Sequence, residues 1–186
     1  RKYDKPGNVY IGLPHRIDRP TSGIVVLAKT SKALSRLNKQ FSSRETKKTY
    51  WAIVKKPIPS DSEELIHYLK KNQKKNKSFA YDKYIPDAKK AILYYKQIAE
   101  LKNYIGLSIN LATGRHHQIR CQLATIGNPI KGDLKYGFSR SNTDGSIHLH
   151  ARNIKLTHPV KKEKMSFQAE VPDDVLWMEM ERQVDS

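Results

Sequence analysis

The chain has 186 residues, 38% hydrophobic and 28% charged, with 10 Tyr, 4 Phe and 2 Trp. That length supports one hydrophobic core rather than two, and the composition excludes a disordered or collagen-like chain. Lys and Arg number 35 against 18 Asp and Glu, a net +17. Such an excess favours a polyanionic partner, nucleic acid first, with anionic lipid or a merely solvated surface as the alternatives.

Taken from the N-terminus, Arg1 to Lys5 is charged but has no apolar stretch behind it, so no secretory signal is visible in these residues. A turn at Lys5-Pro6-Gly7-Asn8 leads into Tyr10 to Pro14, where the prolines forbid a helix. The polar loop His15 to Gly23 follows, and then Ile24-Val25-Val26-Leu27-Ala28, apolar at every position and rich in β-branched residues. This run predicts a central strand buried on both faces. No apolar run exceeds five residues, far short of the roughly 18 to 20 that span a bilayer, so the chain reads as soluble.

Ser31 is placed to cap a helix in which Leu34, Leu37 and Phe41 share one face, with Lys32, Arg36, Lys39 and Gln40 outside. Thr49 to Val54 has strong β propensity, and period 2 puts Tyr50, Ala52 and Val54 on one face, Trp51 and Ile53 on the other. Pro57 and Pro59 stop that strand. The Lys-rich stretch from Asp61 to Lys90 predicts an exposed hairpin or loop, its charges solvated or touching a phosphate backbone.

Ala91 to Ile98 and Tyr104 to Leu111 read as a strand pair around Lys102-Asn103, with Ile105, Leu107, Ile109 and Leu111 on the core face. After Thr113-Gly114, Ile119, Leu123 and Ile126 repeat at helical spacing up to Gly127 and Pro129. Cys121 falls within that helix. As the one cysteine of the chain it excludes an internal disulfide and fits a reducing, cytoplasmic compartment. Short strands at Ile147 to Ala151, Ile154 to Thr157 and Met165 to Val171 precede a tail in which Trp177 sits on a final helical turn.

Two islands concentrate chemistry. Asp18 is an acid between Arg16 and Arg19, just ahead of an apolar run; nearby cations favour a carboxylate in its charged form, as a nucleophile requires, although an Asp in a basic loop can also serve only as an ion-pair partner. Ala112 to Arg120 sets a Gly-bearing turn at the start of a helix, with Arg115, His116, His117 and Arg120 offering an anion site. Arg120 borders the apolar face of its helix, a position that calls for a carboxylate partner. The seven histidines, with His148 and His150 on one strand and His116-His117 adjacent, include no recognisable metal-ligand set. No Gly-rich nucleotide motif is present, and Ser22 and Cys121 have no catalytic-triad pattern around them.

These islands, in this order, resemble the RluA-type pseudouridine synthases. His15-Arg16-Ile17-Asp18-Arg19-Pro20-Thr21-Ser22-Gly23 is similar to the family's HRLDRxTSG segment, and Lys48 to Val54 to its KxYxAxV strand. Gly114 to Arg120 with Leu123-Ala124, Gly127, Pro129-Ile130 and Gly132-Asp133 resembles GRxHQIRxxLAxxGxPIxGD; Leu149-His150-Ala151 and His158-Pro159 resemble its late LHA and HP elements. Departures are modest: Pro20 stands where Asp or Glu is common, and Cys121-Gln122 replaces Val-His.

The resemblance implies an α+β fold, a largely antiparallel mixed sheet flanked by helices, as one pseudouridine synthase catalytic domain over residues 1–186. The family's first strand and Lys-Pro-containing segment are not among these residues, so the chain reads as lacking the N-terminal segment. The implied reaction isomerises uridine in structured ribosomal or transfer RNA, by a monomer with no cofactor and no metal. Asp18 is then the nucleophile, Arg120 its ion-pair partner and Tyr50 the residue stacked on the base. Arg16, Arg19, Arg115, His116 and His117 are the expected RNA-binding residues. A non-catalytic RNA-binding module and a metal-dependent nuclease are the rival classes; the first has no use for Asp18, and the second wants clustered carboxylates that Asp18 lacks.

Overall fold

The computed structural model describes residues 10–186, so the charged start and the Lys5 to Asn8 turn lie outside the described residues. Among the described residues eight strands form one sheet: β1 (Ser22–Gly23), β2 (Lys47–Lys55), β3 (Ser62–Asn72), β4 (Lys77–Tyr81), β5 (Lys89–Glu100), β6 (Tyr104–Leu111), β7 (Leu149–Thr157) and β8 (Lys164–Gln168). Their order is β1-β7-β2-β6-β5-β3-β4, with β8 also on β7. Only β1 and β7 run parallel; the remaining pairs are antiparallel, so the sheet is largely antiparallel and mixed as expected. Helices α1 (Ser31–Ser42), α2 (Gln118–Thr125) and α3 (Val175–Asp185) flank it.

The two-face reading of β2 holds. Tyr50, Ala52 and Val54 join Leu93, Leu107, Ile109, Ile119 and Leu123 in the main core under α2. On the reverse face Trp51 and Ile53 pack with Ala99, Trp177 and Met180 of α3. The alternation of β6 is equally faithful, because antiparallel neighbours on both sides hold its register against β2 and β5.

Several expectations change. Ile24 to Leu27 is not a central strand. The ladder ends at Gly23, an isolated bridge joins Gly12 to Ala28, and the run lies beyond β7 at the sheet's edge. Ile24, Val26 and Ala28 pack on Leu34 and Leu37 of α1. Val25 and Leu27, on the open side, are 41% and 53% exposed. The cap of α1 is Thr30 rather than Ser31, since the Thr30 hydroxyl accepts from the Ala33 amide at 3.1 Å. Gln40 is buried, not outside, because its amide donates to Thr157 O and accepts from Thr157 N on β7.

The Lys-rich stretch is a hairpin, but β3 and β4 are integral to the sheet, and Leu65 and Leu69 are buried. The two late short strands are one strand, β7, with a register shift opposite Thr49/Tyr50. The tail is a helix from Val175 to Asp185, capped by the Asp174 carboxylate, which accepts from the amides of Leu176 and Trp177.

Candidate active site

The loop carrying Asp18 is pinned at several points by backbone groups. His15 Nε2 accepts from the Val26 amide at 2.9 Å, and the Thr21 amide donates to Asp18 O at 2.9 Å, closing a turn. The Ile147 amide donates to Pro20 O at 2.9 Å, and Ser22 Oγ meets His150 Nδ1 at 2.8 Å. Burial, helped by Lys48, pushes His15 down to about 4, so the ring is neutral and free to accept. Gly23 passes against Ala151 at φ 110°, a conformation side chains rarely adopt and an approach at which a Cβ would crowd the Ala151 backbone. Asp18 is thereby held at the mouth of a cleft, its side chain 26% exposed.

β2 and β6 supply the floor, and the start of α2 the far wall. The cleft is lined by Asp18, Lys48, Tyr50, Arg115, His117 and Arg120 among others. Tyr50 is buried between Ile109 and Ala151 of its neighbouring strands, and burial, with the Asp18 charge, raises its phenol to about 12. Lys48, not singled out by sequence reasoning, faces the same cleft, and burial lowers its ammonium below the usual range. The only signal for it was its place in the KxYxAxV segment.

Arg120 does not have Asp18 as its main partner. Its Nε and Nη2 donate to Asp133 Oδ2 and Oδ1 at 2.7 and 2.8 Å, and only Nη1 reaches Asp18 Oδ2, at 3.3 Å. Burial alone would weaken the charge on Arg120, but hydrogen bonds and attraction from Asp133, with Asp18 behind, hold the guanidinium above its ordinary value. Asp133 falls within the Gly132-Asp133 motif, yet no sequence feature ties it to Arg120. The loop reaches Arg120 because the backbone of Ile130 and Lys131 docks beside β2, the Lys131 amide donating to Ile53 O at 2.9 Å.

The other cationic candidates spread along connected grooves. Arg115, His116 and His117 precede the first turn of α2 rather than lying in it. Arg16 lines the Asp18 cleft, and Arg115 is shared by that cleft and two adjoining ones. One of these runs toward the β3–β4 hairpin past His116, Lys70, Lys71 and Lys89; the other passes Arg44, Lys47 and Lys48. Arg19 is exposed but lines none of the three. His117 is buried beside Asp18, its Nε2 3.8 Å from Asp18 Oδ2. His148 and His150 pack against Trp177, at 5.4 and 5.8 Å between ring centroids. Among the described residues no group of three or more His, Cys, Asp or Glu is placed to hold a metal ion, and no helix is long and apolar enough to cross a membrane.

Residues 1–125 match the family described as RNA pseudouridylate synthase. Ribosomal large subunit pseudouridine synthase D of Blochmanniella floridana is 32% identical over 183 residues, covering 89% of this chain and 55% of that protein. The protein of the same name from Vibrio cholerae is 30% identical over 180 residues, covering 90% of this chain and 54% of that protein. The human RNA pseudouridylate synthase domain containing 4 superposes with a TM-score of 0.74 at 20% identity, over 94% of this chain and 76% of that one, a likeness of fold. The chain belongs to the RluA-type pseudouridine synthase family, and it spans about half the length of the curated relatives it matches.

Proposed function

We propose that this chain isomerises uridine to pseudouridine in ribosomal or transfer RNA, with Asp18 as the nucleophile. In that conversion the N1–C1′ bond breaks, the uracil turns, C5 bonds to C1′, and the hydrogen lost from C5 is balanced by one gained at N1. Nothing is oxidised or hydrolysed, so the chemistry calls for no cofactor. A base inside folded RNA has to leave its stack to be reached, and Tyr50 offers the ring against which it rests. Arg120 orients the carboxylate, while Arg16, Arg115 and the grooves meeting at Arg115 receive phosphates. RNA as substrate and a single buried thiol both suit the reducing cytoplasm.

The observation that carries the reading is the placement of Asp18, held by Arg120 over a cleft floored by Tyr50 in an otherwise cationic surface. A protein that only bound RNA would gain nothing from an acid there. The test is a pseudouridine assay on a uridine-containing RNA pool, with and without chelator, for wild type and Asp18→Asn. Isomerisation that survives the chelator and is lost in Asp18→Asn, with RNA affinity equal or higher, is the expected result. Strand cleavage abolished by the chelator, or wild-type isomerisation by the variant, overturns the reading.

A further inference from the structure

His117 is the buried neighbour of Asp18 to which the reaction scheme assigns no task. It ends the turn ahead of α2 in the left-handed region, at φ 52°, and its two ring nitrogens face different groups. Nδ1 lies 3.0 Å from the Tyr136 hydroxyl, and Nε2 points at Asp18 Oδ2 from 3.8 Å.

The hydrogen bonds behind the ring select its tautomer. The Ser78 amide donates to the Tyr136 oxygen at 2.9 Å, so that oxygen is already an acceptor. Tyr136 is buried, and its own hydrogen has a single acceptor among the described residues, His117 Nδ1. Were Nδ1 protonated instead, the phenolic hydrogen would be left without a partner, which buried hydroxyls avoid. The hydrogen of the neutral ring therefore resides on Nε2. His116 stacks on the ring at 3.8 Å and is tied through Nδ1 to Ser78 Oγ at 2.9 Å, so Ser78 of β4 holds the His116 imidazole directly and that of His117 through Tyr136.

Two donors consequently converge on a single oxygen, since Arg120 Nη1 also faces Asp18 Oδ2, at 3.3 Å. We infer that His117, kept as the Nε2–H tautomer by Tyr136, is a positioning residue: with Arg120 it engages Oδ2 of Asp18 and leaves Oδ1 as the oxygen presented to the substrate. The inference rests on the reading of Asp18 as the nucleophile. At 3.8 Å the contact is longer than a hydrogen bond, and a movement of under about 1 Å closes it, as catalytic contacts commonly tighten when substrate binds. Of the groups facing His117, Asp18 favours a charged ring, while Arg120, His116 and Lys135 oppose it. Burial, the largest cause, acts with those three against Asp18 and pushes the ring down to about 4, so it acts as a neutral donor.

The first measurement needs no RNA. In protein labelled with nitrogen-15 histidine, the His117 signals, assigned by their loss in His117→Gln, should show a protonated Nε2 and a bare Nδ1 near neutral pH. In Tyr136→Phe the two shifts should converge. The opposite tautomer in wild type overturns the inference. The second measurement is the single-turnover rate of His117→Gln and His117→Asn, both checked for folding by circular dichroism. A Gln amide reaches the place of Nε2 and an Asn amide only that of Nδ1, whereas the left-handed backbone favours Asn. A merely structural role therefore predicts Asn as the milder change. Positioning predicts that Asn is slower than Gln by at least about tenfold, the worth of one hydrogen bond. Equal rates, or a faster Asn variant, overturn it. If the wild-type chain lacks activity altogether, the function reading falls and the role with it; the wrong tautomer in an active chain removes the role alone.

Discussion

Arg120 grips Asp133 with both ends of its fork, Nε to Oδ2 at 2.7 Å and Nη2 to Oδ1 at 2.8 Å, the two residues being 4% and 1% exposed. The pair is bidentate and nearly dry, so Asp133 sets the plane of the guanidinium and thereby aims the remaining Nη1 at Asp18. Orientation of the candidate nucleophile is thus delegated through an arginine to a second, buried carboxylate that does not line the cleft.

Removing that second carboxylate should leave a buried cation with one distant partner. Asp133→Asn is expected to cost about 3 kcal/mol in urea unfolding and to lower the single-turnover rate more than it lowers RNA affinity. Arg120→Lys keeps the charge but loses the fork, and should be impaired despite a wild-type circular dichroism spectrum. A folded Asp133→Asn variant with wild-type stability and rate would show that Arg120 needs no such support.

Gly23 permits the approach of β1 to β7 that anchors the Asp18 loop. A Cβ there would stand 2.6 Å from Ala151 N, at a φ of 110° that side chains rarely adopt. Gly23→Ala should destabilise by at least about 2 kcal/mol, a fall of roughly 4 to 8 °C in Tm for a chain of this size. An unchanged Tm would mean that the β1–β7 contact contributes little.

Acidification should destabilise the fold before the carboxylates titrate. Burial is the largest cause lowering His15, His67, His116, His117, His148 and His150, with His15 and His117 near 4. The unfolded chain takes up protons at these rings near the ordinary histidine value of about 6.5, whereas the folded one resists. Their full stabilisation is therefore present above that value and is lost as pH falls below it, for His15 and His117 down to about 4. The urea midpoint at about pH 5 should lie clearly below that at about pH 7.5; equal midpoints would mean that the rings take up protons as readily in the folded chain as in the unfolded one.

RNA binding should weaken with salt, and the slope locates the contacts. Lys71 and Lys89 line the groove that carries Arg115 and His116, whereas Lys70 is paired with Asp87 at 3.2 Å. Lys71→Gln with Lys89→Gln should flatten the log–log salt slope by about 1 to 2, and Lys161→Gln with Lys164→Gln, at the β7–β8 turn, should leave it in place. The same slope in both pairs would remove the hairpin groove from the RNA path.

Tyr50 should not contribute a limb to the pH–rate profile. Its phenol, raised to about 12 by burial and by Asp18, keeps its proton throughout the accessible range. Between about pH 6 and about pH 10 the profile of Tyr50→Phe should have the wild-type shape, whatever its height. A limb present in wild type and absent in the Phe variant would assign Tyr50 a titrating role.

The elements legible in the sequence were those whose pattern is set by immediate neighbours. β2, β5 and β6 occupy the interior of an antiparallel sheet, so period 2 sorts their residues onto its two faces, and Leu34, Leu37 and Phe41 mark the packed side of α1 by helical spacing alone. Asp18, Tyr50 and Arg120 were named from motifs, but only folding brings Asp18 and Arg120, 102 positions apart, within 3.3 Å. Tertiary structure alone decided that Ile24 to Leu27 lies at a sheet edge with one side open, since an apolar run does not specify how many of its faces will be covered. It likewise decided that Gln40 is buried and that Arg120 belongs first to Asp133. Burial of a polar group depends on whether a distant backbone or carboxylate completes its hydrogen bonds, and the chain must fold before those partners meet.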